Sequence, residues 1–142
     1  MEFTLSALPD IVQKLLAEAQ KNTSKDHATL ITFSGELGAG KTTLIQELAK
    51  QLGVSENLQS PTYVIYKRYA CAGAPWKYLI HGDMYRLESS DEILKLNWNE
   101  LLANPENVIC IEWPEKIADA IPEWAVKVML NHKGEGLRLV DF

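Results

Sequence analysis

Residues 35–43 read GELGAGKTT. Glycine, four residues, glycine, lysine and threonine is the spacing of a loop that wraps phosphate. Glycines let backbone approach an anion with no Cβ in the way, successive N–H groups turn inward, and the next helix adds partial positive charge at its start. Such a loop works only between a strand and a helix, so the flanks decide whether the pattern has meaning. Upstream, ATLITFSG is a β-rich apolar run; downstream, KTTLIQELAKQLG puts Leu44, Ile45, Leu48 and Leu52 on one side of a helix that Gly53 can stop. Strand, glycine loop and helix stand in the required order. This commits the chain to an α/β fold with the loop at the C-terminal edge of a strand.

The remaining segments build around that unit. EFTLS reads as a short strand, followed by a helix with Ser6 as its expected N-cap, Pro9 in the first turn, and Leu8, Ile11, Val12, Leu15, Leu16 and Ala19 at helical spacing. TYVIYKRYA and WKYLIHGD alternate apolar and polar residues around the turn CAGAP, as a β-hairpin does. SSDEILKLNWNELLANP reads as helical, with Ser90 as a cap and a break near Asn97. NVICIEW is a second buried strand, PEKIADAI a short helix entered at Pro114, and EWAVKVMLNHK and GLRLVDF are two last strands joined at GEG. No repeat, low-complexity tract or linker divides the 142 residues. The expectation is one domain over 1–142, a P-loop NTPase fold with a mainly parallel central sheet flanked by helices. The hairpin and the C-terminal strands are its expected antiparallel members.

Composition excludes several functions. No apolar run reaches the ~20 residues of a membrane helix. The opening MEFTLSALPD has an early acid and no basic, apolar leader, and Cys71 and Cys110 match neither a zinc nor a disulfide spacing. A reducing, cytoplasmic setting is expected. Acids outnumber Lys plus Arg by 19 to 14, for a net charge of −5, and the only arginines are Arg68, Arg86 and Arg138. A chain that gripped nucleic acid alone would usually show a basic patch, so contact with nucleic acid is expected only through partner proteins.

The loop predicts nucleotide and Mg²⁺. Glu36, Leu37, Gly38, Ala39, Gly40, Lys41, Thr42 and Thr43 are the expected nucleotide contacts, with Lys41 reaching the β/γ-phosphates and the Thr42 hydroxyl facing the metal. Glu112 ends an apolar strand, where phosphate-loop enzymes place an acid for Mg²⁺ and the attacking water. Asp83, in HGDMYR with His81, Tyr85 and Arg86, is a second candidate acid, although a solvated strand end is the default reading of that cluster. Thr62, in SPTY, lies where switch-type enzymes sense the γ-phosphate; a turn followed by a strand is an equally natural reading. Trp113 follows Glu112 and so falls beside the site.

Two rivals fit less well. A small-molecule kinase usually adds an Arg-rich lid, and three arginines leave none evident. A GTPase needs Asn-Lys-x-Asp, and NHKG at 131–134 lacks the acid. ATP hydrolysis is the expectation, slow in isolation because so few arginines are present to stabilise transition-state charge.

GELGAGKTT, SPTYVIY, HGDMYRLE and IEWPEK together resemble one family, the bacterial ATPase component of the tRNA threonylcarbamoyladenosine system, TsaE. The resemblance spans nearly the whole chain in order and spacing. It implies ATP hydrolysis on the partner pair TsaB and TsaD. That pair transfers threonylcarbamoyl to N6 of adenosine 37 in tRNAs reading codons that begin with A. The ATPase is not the transferase; it permits repeated turnover and meets tRNA only through the complex. By motif, Lys41 and Thr42 would hold phosphate and Mg²⁺, Asp83 and Glu112 would serve metal and water, and Thr62 would be switch-like. Lys41, Asp83 and Glu112 are thus the expected catalytic set, and Thr42, Asp83 and Glu112 the expected metal ligands.

Overall fold

A computed structural model describes every residue except 59–63 and 74. The described strands are β1 (Glu2–Thr4), β2 (Thr29–Ser34), β3 (Tyr66–Ala70), β4 (Tyr78–Asp83), β5 (Asn107–Glu112), β6 (Val126–His132) and β7 (Leu137–Asp141). They form one sheet in the order β1-β7-β6-β2-β5-β4-β3. β6, β2, β5 and β4 run parallel, while β3, β7 and β1 pair antiparallel at the two edges. The expected mainly parallel centre with antiparallel additions is therefore what the chain builds. Around it lie α1 (Leu8–Lys21), α2 (Lys41–Gln51), α3 (Ser90–Leu94) and α4 (Trp98–Ala103), with 3₁₀ helices at Leu5–Ala7 and Pro114–Ala120. None of the described helices is long and apolar enough to cross a membrane.

Burial explains the layering. A parallel strand covered on both faces reads as a continuous apolar run. β2 is buried through Phe33, and every residue of β5 is buried. On one face Ile31, Phe33, Val108 and Cys110 pack with Ile11, Val12 and Leu15 of α1 and Leu44, Ile45 and Leu48 of α2. On the other, Leu30, Ile80, Ile109 and Ile111 pack with Ile93, Trp98 and Ile117 of the helices after β4 and β5. Successive residues of one strand thus serve opposite cores, which is the period-two geometry of a pleated sheet.

Local details depart from expectation where tertiary contacts override short-range signals. Ser6 does not cap α1: the chain enters through the 3₁₀ turn, Ala7 holds the cap position, and no side chain caps the helix. Ser6 Oγ instead meets Thr4 Oγ1 at 2.9 Å. Ser89, not Ser90, precedes α3, and the Ser90 hydroxyl is turned to Asp119. The break near Asn97 is present, with Asn97 in the left-handed region at φ +62°. Gly53 ends α2 as expected. Its N–H bonds the Lys50 carbonyl at 3.1 Å, and the Val54 N–H reaches back to Ala49 O at 3.0 Å, the paired closure that a glycine at positive φ permits. β3 begins only at Tyr66; Thr62 lies outside the described residues.

Candidate nucleotide and metal site

The C-terminal ends of β2, β5 and β4 lie side by side at one edge of the sheet, and the glycine loop leaves from β2 there. Register sets the acids. Glu112 pairs with Phe33 of β2 on one side and with Asp83 of β4 on the other. The two carboxylates read from sequence as separate strand ends are therefore direct neighbours.

The loop needs its glycines for two reasons. Gly35 passes so close to β6 that a Cβ there would come within 2.0 Å of the Leu130 carbonyl oxygen. Gly40 opens α2 at φ +101°, and its carbonyl accepts the Leu44 N–H at 3.0 Å. Between them the Ala39 N–H closes a turn on Glu36 O at 3.0 Å, while the Ala39 side chain is buried in the core. Glu36 and Leu37 are exposed.

Lys41 is almost fully buried and folded back on the loop. Its Nζ donates to Gly35 O at 2.5 Å and Glu36 O at 3.4 Å, and lies 3.9 Å from the centre of the Trp113 ring. Burial pulls its pKa below the usual lysine value, against the pull of Glu112, Glu115 and Asp83. Glu112, 4% exposed, is held from two sides. The Thr42 hydroxyl donates to both of its oxygens at 2.9 and 3.1 Å, and His81 Nε2 donates to Oε2 at 2.9 Å. Asp83 accepts the Tyr85 N–H at 3.0 Å. Burial, with a further push from Glu112, holds its carboxyl above the ordinary aspartate range. Trp113 sits at φ +59°, rare for a large side chain, and its ring also meets Tyr85 at 5.1 Å between centroids.

These groups surround one cavity of about 320 Å³, lined by Lys41, Thr42, Asp83, Glu112, Trp113 and Arg138 along with loop residues. Leu37, Gly38, Gly40 and Thr43 complete the lining, whereas Glu36 and Ala39 do not reach it. A larger cavity of about 500 Å³ lies between Pro114 and β6, against Met129 and Phe142. None of the glycine loop lines it, so a phosphate seeking the loop's backbone donors would fit the smaller one. Among the described residues no three His, Cys, Asp or Glu side chains form a ready metal cage. Two carboxylates and a hydroxyl are nevertheless the hard oxygen set that suits Mg²⁺ shared with phosphate, an ion that takes one or two protein carboxylates and leaves other positions to its nucleotide and water.

Residues 5–140 match the family described as threonylcarbamoyl adenosine biosynthesis protein TsaE. The chain belongs to the TsaE family. Its relatives include the tRNA threonylcarbamoyladenosine biosynthesis protein TsaE of Nostoc sp., 38% identical over 117 residues, covering 80% of this chain and 68% of that one. The Haemophilus influenzae protein of the same name is 32% identical over 119 residues, with 84% and 73% covered. The Bacillus subtilis one is 32% identical over 113, with 80% and 68% covered. The crystal structure of Bacillus subtilis YdiB superposes with a TM-score of 0.66 at 23% identity, covering 99% of this chain and 80% of that one. At that identity the likeness speaks to the fold, which is matched along nearly all of this chain.

In this TsaE-family chain the structure also adds residues that spacing did not assign. His81 stood in the HGDMYR cluster without a role; the only hint was a histidine two residues before an acid in an otherwise apolar strand. Arg138 gave no local signal, because it reaches the cavity through the pairing of β7 with β6.

Proposed function

We propose that this chain is the ATP-hydrolysing component of the machinery forming N6-threonylcarbamoyladenosine at position 37 of tRNAs that read codons beginning with A. It acts in the cytoplasm on the TsaB–TsaD pair, permits that pair to turn over repeatedly, and meets tRNA only through it. The observation that carries the hydrolase reading is the meeting of Lys41 and Thr42 with Glu112 and Asp83 around one cavity at the sheet edge. Family membership carries the biological setting.

The chain's groups divide the work. Backbone N–H groups of the loop and the start of α2 bind the phosphates. Lys41 gives up its carbonyl contacts and turns its ammonium to the β/γ-phosphates. Thr42, Glu112 and Asp83 would hold Mg²⁺, which when bound neutralises charge on the phosphate oxygens. His81 fixes Oε2 of Glu112, so the carboxylate keeps one orientation towards the metal or the attacking water. Thr62 is the switch-like residue in this reading.

Purified chain supplied with MgATP should release phosphate slowly without any metabolite acceptor. It should also be retained by the TsaB–TsaD pair more strongly with ATP than without. Rapid phosphorylation of a small-molecule acceptor would favour the kinase reading instead, and failure to associate with the pair in either condition would remove the biological setting.

A further inference from the structure

One charged group of the cavity has no part in the chemistry above. The turn between β6 and β7 is closed by the Lys133 N–H on Leu137 O at 3.0 Å, and its register sets Arg138 opposite His132. Their side chains meet, with Arg138 Nη1 3.5 Å from His132 Nδ1, and His132 Nε2 lies 2.5 Å from Gly38 O. A carbonyl can only accept, so Nε2 carries the imidazole proton and Nδ1 receives the guanidinium. The arginine is thereby tied to the glycine loop. Its stem runs along Gly40, where an added Cβ would come 3.0 Å from Nε. That Nε is buried and has no partner among the described residues. Nor does any described carboxylate form an ion pair with this guanidinium. A protein rarely leaves a buried donor on a cation unsatisfied, because the desolvation is not repaid. Here the residue that carries that donor lines the cavity that holds Lys41 and Thr42.

Its side of the cavity matters. β6 flanks β2 on one side, and β5 with β4 flank it on the other. Glu112 and Asp83 come from β5 and β4, so the metal, the γ-phosphate and the attacking water belong to their flank. Arg138 comes from beyond β6 and faces the loop from the opposite flank. Resting on the nucleotide reading of this loop, we propose that Arg138 is a nucleotide-binding residue that contacts the phosphates nearer the nucleoside, tightening ATP and ADP alike without accelerating hydrolysis. His132 is the positioning residue that holds it there.

The test measures equilibrium binding of MgATP and MgADP to wild type, R138Q and R138K, hydrolysis at saturating ATP, and thermal unfolding without nucleotide. R138Q should weaken both nucleotides by the same factor, roughly tenfold or more for a charge-assisted contact. Its kcat should stay within about threefold of wild type, since uniform binding leaves the chemical step alone. R138K should recover part of the affinity, and neither variant should lower the unliganded Tm. Unchanged affinity for both nucleotides, a loss confined to kcat, or a loss of affinity that follows a fall in the unliganded Tm would each overturn the assignment. Wild type that binds neither nucleotide would overturn the nucleotide reading itself, whereas tight wild-type binding matched by R138Q would remove Arg138 alone.

Discussion

Glu112 is a buried carboxylate beside a second acid, an arrangement that a fold would avoid if stability were its only concern. Thr42 and His81 satisfy its oxygens, and Lys41 supplies a nearby cation. Hydrolysis and binding should therefore separate by residue. Glu112→Gln keeps the shape and the acceptor oxygen but removes the charge. It should slow phosphate release by about a hundredfold or more while nucleotide affinity changes little, since positioned acid–base groups contribute on that scale. Normal hydrolysis by this variant would remove Glu112 from the mechanism. Lys41→Ala should lose nucleotide binding and hydrolysis together, measurable by titration with ADP. Asp83 adds a pH-linked test. Its carboxyl is raised above the ordinary value of 3.8, chiefly by burial. A group raised in the folded state favours the fold at pH below its unfolded value and withdraws that stability as pH rises through the folded one. Above its folded value, where it is ionised, Asp83 weighs against the empty fold. Asp83→Asn should raise the unliganded Tm at pH 7 and lose that advantage as pH falls below the aspartate range, while hydrolysis falls sharply. A lower Tm for this variant at pH 7 would show that Asp83 supports the fold.

At the scale of elements, legibility followed locality. The strand, loop and helix around GELGAGKTT were readable because apolar period, glycine positions and the Gly53 stop all act within a few residues. The break at Asn97 was readable for the same reason, as an asparagine tolerates the left-handed backbone it adopts. The two caps were not. Ser6 and Ser90 have the right chemistry for an N-cap, but Ser6 sits inside a 3₁₀ turn and Ser90 is drawn to Asp119, a contact made across 29 residues. The acids were legible singly as strand ends, but their adjacency depends on the β4–β5 register, and Arg138 depends on β6–β7 pairing. Gly53 offers a measurable check on this scale. It needs φ +78°, and a Cβ would come 2.7 Å from that of Ala72. Gly53→Ala should destabilise the fold by roughly 1–2 kcal/mol, read from urea unfolding; an unchanged midpoint would show that the C-terminus of α2 can rearrange.

For the whole molecule, the sheet order is the decisive feature. It aligns the C-terminal ends of the parallel strands so that the loop stands between an acidic flank from β4 and β5 and a cationic one from β7. Sequence gave the elements without the order, because nothing local in β1 or β7 says which strand will be its neighbour. With its one cavity arginine on the flank away from the acids, the chain has little transition-state charge of its own beyond Lys41. Partner-dependent activity follows as an expectation, since a group supplied in trans can stabilise the charge that this cavity leaves exposed. The most direct measurement is steady-state phosphate release from MgATP by wild type and Glu112→Gln, each alone and with the TsaB–TsaD pair. The expected result is slow release by wild type alone, a rise of tenfold or more, roughly, with the pair, and almost no release by the variant in either condition. Equal wild-type rates with and without the pair, or a variant that the pair stimulates as strongly as wild type, would contradict it.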